Sequence, residues 1–296
     1  MTFTIATTVD EALASLAAGA RPIAGGTDLV VGARQGKAPL PDALIAIDRI
    51  TELQGIETGD EIRIGAGVSH ATLMTDATVV GTLPGIADAA ALVGSPATRN
   101  VGTIGGNVMN GSPAMDTGAP LMVLGAQAEL KTSSGTRLVP LDELWTGPSQ
   151  TSATADELCT ALVIPTPVAA SSSAYVRLEY RRAMEIAVVG AAAAVTLDGD
   201  KVSSVRVALT AVAPTIIEIT GLDAAVGMSL ADAAATAEAV ASEQATPISD
   251  LRAGDAYRRH TIGVMARRAV EAAGRRAAGE TIGIPVNRAL GIGAAS

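Results

Sequence analysis

Residues 165–173 divide this chain into two parts with different hydrophobic patterns, and this division is the strongest constraint on its fold. The stretch consists of proline, alanine, serine, threonine and valine, a composition typical of the flexible segments at which chains change domain. Helical and strand patterns alternate before it, whereas strands joined by a tight turn at residues 198–200 follow it. The sequence therefore predicts an α+β protein in which a mixed N-terminal part precedes an antiparallel sheet with helices.

The N-terminal part, residues 1–167, predicts two α/β lobes. The first covers residues 1–55 and the second residues 56–167, each with short buried strands and amphipathic helices. Within the second lobe, residues 94–111 hold five glycines, three asparagines and a proline, which predicts a long functional loop. A C-terminal domain is expected over residues 174–280, and residues 281–296 are expected to form a tail.

The core must be aliphatic, because hydrophobic residues make up 48% of the chain but it has only one Phe, one Trp and three Tyr. Such a chain has no stacking platforms for single-stranded nucleic acid. Its net charge of −9 also opposes binding to phosphates. We therefore expect no nucleic-acid partner.

Metal chemistry is not expected within this chain. A single cysteine, Cys159, and two distant histidines, His70 and His260, cannot supply the ligands of a zinc site or an iron–sulfur cluster. Cys159 is interpreted as core, His70 as a surface or capping residue at the start of a helix, His260 as solvated, and Trp145 as packing at the surface of the first lobe. The N-terminal residues have no basic residue before Arg21 and no apolar run of signal-peptide length, so no signal peptide is predicted. The longest apolar run, residues 186–195, is about half of what a bilayer span needs, so no transmembrane segment is predicted and a cytoplasmic location is expected.

Two glycine pairs are candidates for anion binding. They lie in the segments 24–29 and 103–107, where consecutive amides without a neighbouring Cβ can face a diphosphate. Thr27 is predicted to cap a helix whose dipole assists, and Asp28 or Asp116 could accept hydrogen bonds from ribose or ribityl hydroxyls. Neither segment fits a Walker A loop or the Gly-x-Gly-x-x-Gly fingerprint, and a plain turn is the alternative for each.

Four segments together carry a more specific resemblance: residues 22–29, 64–70, 99–107 and 112–116. In order and spacing they resemble the FAD-carrying medium subunit of the xanthine oxidase family of molybdenum hydroxylases, of the carbon monoxide dehydrogenase medium-chain type. The resemblance covers nearly the whole chain. It implies that the two lobes form an FAD-binding domain of the PCMH type and that a C-terminal flavoprotein domain follows.

The resemblance also implies a set of FAD-binding residues. Those expected to clamp the diphosphate are Ile23, Ala24, Gly25, Gly26, Thr27, Asp28, Thr103, Ile104, Gly105, Gly106 and Asn107. Asp116 is expected to approach the cofactor, and Cys159 to place its backbone near the flavin ring. Arg177 stands where the family often has a lysine near the flavin. No acid–base or nucleophilic catalytic residue is expected, because the cofactor carries the chemistry.

The function implied is electron transfer through FAD to an external acceptor. Electrons would come from [2Fe-2S] clusters on a small partner subunit, after substrate oxidation at a molybdenum cofactor on a large one. A heterotrimer is expected, and whether it doubles is left open. Two alternatives remain at this point: a self-sufficient FAD-dependent oxidoreductase of related fold, and a scaffold subunit that has lost flavin.

Overall fold

The first lobe is a small parallel sheet with one helix packed on it. The computed structural model describes residues 1–292. The lobe's elements are β1 (Thr2–Ile5), α1 (Val9–Ala17), β2 (Arg21–Ile23), α2 (Leu29–Arg34) and β3 (Ala43–Ala46), with strand order β1-β3-β2. Thr8 caps α1 by accepting a hydrogen bond from the Glu11 amide at 3.2 Å. Leu13 and Leu16 of α1 pack against Ile45 in a separate small core.

The second lobe is built on a five-stranded antiparallel sheet of order β4-β5-β10-β6-β7. Its elements, in chain order, are β4 (Ile56–Thr58), β5 (Glu61–Gly65), α3 (His70–Leu73), α4 (Ala77–Thr82), α5 (Pro84–Leu92), α6 (Pro96–Val101), α7 (Ile104–Asn110), α8 (Gly118–Val123), β6 (Gln127–Thr132), β7 (Gly135–Pro140), α9 (Leu141–Leu144), β8 (Trp145–Gly147), β9 (Gln150–Thr151) and β10 (Leu158–Pro165). Every residue of α5 is buried, so this helix lies inside the molecule.

The prediction of a long loop at residues 94–111 is wrong, because α6 and α7 form there. Ser95 caps α6 by accepting from the Thr98 amide at 3.2 Å, and Thr103 caps α7 by accepting from the Gly106 amide at 3.1 Å. Gly111 ends α7 in the left-handed conformation, with φ of +60°. The capping residues were present in the sequence, but the glycine content obscured the two short helices.

The C-terminal unit is a four-stranded antiparallel sheet of order β11-β12-β13-β14, covered by two long helices. Its elements are β11 (Ser171–Leu178), β12 (Val189–Asp198), β13 (Lys201–Thr210), β14 (Ile217–Glu218), α10 (Leu230–Gln244), α11 (Asp255–Ala277) and α12 (Val286–Ala289). This sheet and α11 share an aliphatic core, as the scarcity of aromatics predicts. The α+β architecture with an antiparallel C-terminal unit is thereby confirmed.

The two units are joined by a continuous apolar core. Tyr175 of β11, Ala192 of β12 and Ala208 of β13 belong to the same buried cluster as the helices of the second lobe.

Residues 281–296, expected to be a tail, include a packed segment: Val286 and Asn287 are fully buried. The end of the expected tail, residues 293–296, lies outside the described residues. Within residues 1–292, no helix is long and apolar enough to cross a membrane.

Candidate functional site

The first glycine motif is a loop between β2 and α2 that touches the end of α6. A Cβ on Gly25 would lie 1.9 Å from the Val101 carbonyl oxygen, so only glycine allows this approach. Gly26 follows with φ of +67°, a left-handed conformation that glycine adopts without strain. These two positions explain why the loop has a glycine pair.

The backbone amides of this loop are not used in backbone hydrogen bonds within residues 1–292. No backbone amide from residue 24 to residue 29 donates a hydrogen bond to another backbone group in the described part of the chain. The expectation that Thr27 caps the helix is wrong, because α2 begins at Leu29 and its N-cap is Asp28, whose side chain makes no capping bond. Partial desolvation raises the pKa of the Asp28 carboxyl, while Lys37 acts in the opposite direction. The loop therefore offers unpaired donors to an anion rather than a capped helix end.

The second glycine motif is anchored instead of open. The Ile104 amide donates to the Val68 carbonyl at 3.0 Å, and the Gly105 amide donates to the Ala66 carbonyl at 2.9 Å. A Cβ on Gly105 would lie 2.5 Å from the Ala66 Cβ, so glycine lets α7 pack against the chain that follows β5. The motif's own amides are thus largely used within the protein, and its position beside the first loop is what it contributes.

The two motifs lie next to each other in the structure. A Cβ on Gly102 would lie 3.6 Å from Thr27 Oγ1, which places the start of the second motif against the first loop. Asn107, further along α7, accepts a hydrogen bond from Thr117 Oγ1 at 2.6 Å. That contact ties α7 to the segment that carries Asp116.

Cys159 lies in β10 close to the second motif. The Thr160 carbonyl accepts from the Ala66 amide at 2.9 Å, and Ala66 in turn accepts from Gly105. The Cys159 thiol is buried, with Sγ 3.7 Å from the Ala161 carbonyl, and burial raises its pKa to about 12. The thiol is therefore protonated and unreactive, in agreement with its interpretation as core.

Asp116 and Arg177 form a buried ion pair between the two units. Arg177 Nη1 donates to Asp116 Oδ2 at 2.7 Å, and Arg177 Nε donates to Glu179 Oε2 at 2.8 Å. The Tyr175 hydroxyl donates to the other oxygen, Asp116 Oδ1, at 2.8 Å. Burial alone would lower the pKa of the Arg177 guanidinium, but the neighbouring carboxylates outweigh burial and raise it. Both oxygens of Asp116 are thus engaged within the protein.

Two residues expected at the surface are buried. His70, the first residue of α3, is only 2% exposed, and its Nδ1 has no hydrogen-bond partner within residues 1–292. Burial, helped by Arg99, lowers the pKa of His70 to about 4, so the ring is neutral at pH 7. Trp145 is also buried and donates from Nε1 to the Val108 carbonyl of α7 at 3.0 Å. The His70 amide donates to the Gly102 carbonyl at 3.0 Å, so both residues hydrogen-bond the backbone next to or within α7.

Comparisons with known proteins identify this architecture. The family model described as the FAD binding domain in molybdopterin dehydrogenase matches residues 1–167, and that of the CO dehydrogenase flavoprotein C-terminal domain matches residues 174–273. The chain belongs to the FAD-binding family of the molybdopterin dehydrogenases.

The relatives are subunits of molybdenum-dependent oxidoreductases. The carbon monoxide dehydrogenase medium chain of Afipia carboxidovorans is 35% identical over 275 residues, which cover 90% of this chain and 92% of that one. A putative xanthine dehydrogenase FAD-binding subunit of Escherichia coli is 31% identical, covering 88% and 91% of the two chains. Among solved structures, carbon monoxide dehydrogenase from Hydrogenophaga pseudoflava superimposes with a TM-score of 0.88 at 33% identity, covering 93% of this chain and 98% of that one.

The residues present fit FAD. The unpaired amides of the first loop suit the two phosphates, and the glycines keep that loop free of side chains that would block approach. The predicted residues do not all contribute in the same way. Arg177 is fully buried, so its guanidinium is enclosed by protein and does not line an open surface.

Several residues of the site were missed from the sequence. Asp88, on α5, accepts two hydrogen bonds from Arg276, at 2.6 Å and 3.1 Å, across the joint between the units. A lone acid within an otherwise apolar helix is a signal of a buried partner. Tyr175 and Glu179 were also missed; with Arg177, which was predicted, they occupy alternate positions in β11 and just after its end, and this alternation places their polar groups together.

Proposed function

We propose that this chain is the electron-transfer flavoprotein subunit of a molybdenum hydroxylase complex. It would take electrons from [2Fe-2S] clusters on a small partner subunit and pass them through FAD to an external acceptor. The substrate would be oxidised at a molybdenum cofactor on a large partner subunit. The observation that carries this proposal is the contact of the first glycine loop, with its unpaired amides, against the end of α6 at Val101.

FAD, when bound, supplies the chemistry of accepting electrons and releasing them in pairs. The chain's own residues supply binding and electrostatics. We propose that the amides of residues 24–29 hydrogen-bond the diphosphate. The hydrogen bond between Thr117 and Asn107 ties α7 to the Asp116 segment. The contacts of Gly25 with Val101 and of Gly102 with Thr27 keep the second motif beside the first glycine loop.

Three polar groups near the motifs, His70, Cys159 and Asp116, are unsuited to acid–base work. His70 is neutral and Cys159 is protonated at pH 7, because burial shifts the pKa of each group away from neutrality. Asp116 is fixed by Tyr175 and Arg177. This arrangement supports the electron-transfer proposal over a self-sufficient oxidoreductase, which needs a titratable acid or base beside the flavin.

Arg177 would act on the flavin through its charge, without direct contact. It is linked to the second motif by Asp116, whose neighbour Thr117 bonds Asn107. Removing Arg177 would leave the carboxylates of Asp116 and Glu179 without their shared cation. Added negative charge disfavours a reduced, anionic flavin, so Arg177→Ala should lower the flavin midpoint potential.

The test is expression of the chain with and without its partner subunits. We expect the purified chain to show flavin absorption and to turn over no organic substrate alone, and to co-purify with chains that contain molybdenum and iron. Turnover by the isolated chain would favour the self-sufficient oxidoreductase. A colourless protein that cannot be reconstituted with FAD would favour the scaffold.

A further inference from the structure

A short C-terminal segment is packed into the joint between the two units. It includes Val286 and Asn287, which lie beyond residues 167 and 273, the ends of the two family-model matches. Both residues are fully buried. The Asn287 side chain bonds β11, and the Val286 amide bonds Asp88 on α5.

Asn287 holds the backbone of a single residue, Arg177. Its Oδ1 accepts from the Arg177 amide at 3.0 Å, and its Nδ2 donates to the Arg177 carbonyl at 2.8 Å. β11 is an edge strand of its sheet, so backbone groups that point away from β12 have no strand to pair with. Asn287 therefore takes the place of a neighbouring strand at residue 177, where buried and unpaired backbone groups would otherwise cost stability.

The same part of β11 is held by two carboxylates of the N-terminal unit. Asp88 accepts from the Tyr175 amide at 3.2 Å and from the Val286 amide at 2.8 Å, so it binds β11 and the C-terminal segment at once. Asp116 holds the Tyr175 hydroxyl and the Arg177 guanidinium. Residues 175–177 are thus fixed from the edge by Asn287 and from the other unit by Asp88 and Asp116.

We infer that Asn287 is a positioning residue for Arg177: its two backbone bonds fix residue 177 so that the guanidinium stays between Asp116 and Glu179. The last step, that this placement sets the flavin midpoint potential, rests on the proposed function. The first step, that Asn287 fixes the Arg177 backbone, does not depend on flavin.

The experiment compares variants of the full chain with a control that loses the same pair of bonds elsewhere. Gln244 accepts from the Thr220 amide at 3.1 Å and donates to the Thr220 carbonyl at 2.9 Å, far along the chain from β11. Asn287→Ala and Gln244→Ala therefore remove the same pair of side-chain bonds to one residue's backbone, at a buried position in the first case and at an exposed position in the second. Asn287→Asp keeps an acceptor for the Arg177 amide and serves if the alanine variant does not fold.

Two measurements are made on each variant. Amide hydrogen exchange of the peptide that contains residues 171–178 should quicken roughly tenfold or more at Arg177 in Asn287→Ala, with an intermediate effect in Asn287→Asp. In chains reconstituted with FAD, the flavin midpoint potential should be lower in Asn287→Ala than in the wild type, as it should be in Arg177→Ala. Gln244→Ala should change neither measurement.

Exchange at the wild-type rate in Asn287→Ala would overturn the inference. If exchange quickens in Asn287→Ala but the midpoint potential stays unchanged, while Arg177→Ala shifts that potential, Asn287 is purely structural and the inference is also overturned. If the wild-type chain takes up no FAD, or Arg177→Ala leaves the potential unchanged, the proposed role of Arg177 fails. In that case the exchange result still decides whether Asn287 fixes the Arg177 backbone.

Discussion

Gly25→Ala tests the contact on which the cofactor site depends. The added Cβ would lie 1.9 Å from the Val101 carbonyl oxygen and 2.4 Å from the Val101 carbonyl carbon. Both are backbone atoms, so no side-chain rotation can relieve the clash. To reach ordinary contact, at 3.4 Å or more, the glycine loop and the end of α6 must separate by roughly 1.5 Å.

Such overpacking costs about 1–3 kcal/mol. If the loop moves away, the cost falls on FAD binding, and the dissociation constant should rise by about 5-fold to 150-fold. If the loop stays, the same free energy is lost from folding. We therefore expect the two losses together to fall within this range, measured by flavin fluorescence quenching on titration with FAD and by urea unfolding of the chain without FAD.

Gly32→Ala is the matched control, since Gly32 lies in α2 a few residues along and a Cβ added there would meet no atom within 4 Å. A helical Gly→Ala change of this kind should stabilise the chain by about 0.5–1 kcal/mol and leave FAD affinity unchanged. The reasoning is refuted if Gly25→Ala matches the wild type in both assays. Equal losses in the two variants would refute it as well.

Three further changes test neighbouring parts of the site. Asp116→Ala should lower the free energy of unfolding by about 1.5–3 kcal/mol in urea titrations, because Arg177 loses one charged hydrogen bond while Glu179 still pairs its cation; a loss below about 0.5 kcal/mol would contradict the contribution of the buried pair. Burial lowers the pKa of His70 from 6.5 to about 4, so as the pH falls the unfolded chain binds a proton before the folded chain does. Between pH 6.5 and about 4 the free energy of unfolding therefore falls by about 1.4 kcal/mol per pH unit. His70→Gln should flatten the dependence of unfolding free energy on pH in that window, and an unchanged slope would count against a buried neutral His70. Gly106→Val should abolish FAD retention, because the added side chain would block the approach of the diphosphate. The fold should persist, since a Cβ there meets only Thr103 Oγ1, at 3.0 Å; stoichiometric FAD in this variant would remove Gly106 from the diphosphate site.

The periodic elements could be predicted from the sequence because their signals are local. Thr8 before an amphipathic run predicts α1, and the strands on either side of the turn at residues 198–200 predict the β12–β13 hairpin. The order and spacing of the glycine segments were enough to indicate the family. Each of these signals depends on neighbouring residues or on residue types, and none requires knowledge of what packs across the fold.

Tertiary structure decided which of those groups are free and which are occupied. The amides of the second motif and the oxygens of Asp116 looked available for a cofactor, yet Val68, Ala66, Tyr175 and Arg177 bind them. His70 became buried and neutral because α3 packs against α5 and α6. Asn287 lies 110 residues from Arg177 along the chain, and no local pattern links them. Burial and hydrogen-bond partners depend on contacts between segments that are distant in the chain, so they could not be predicted from local sequence patterns.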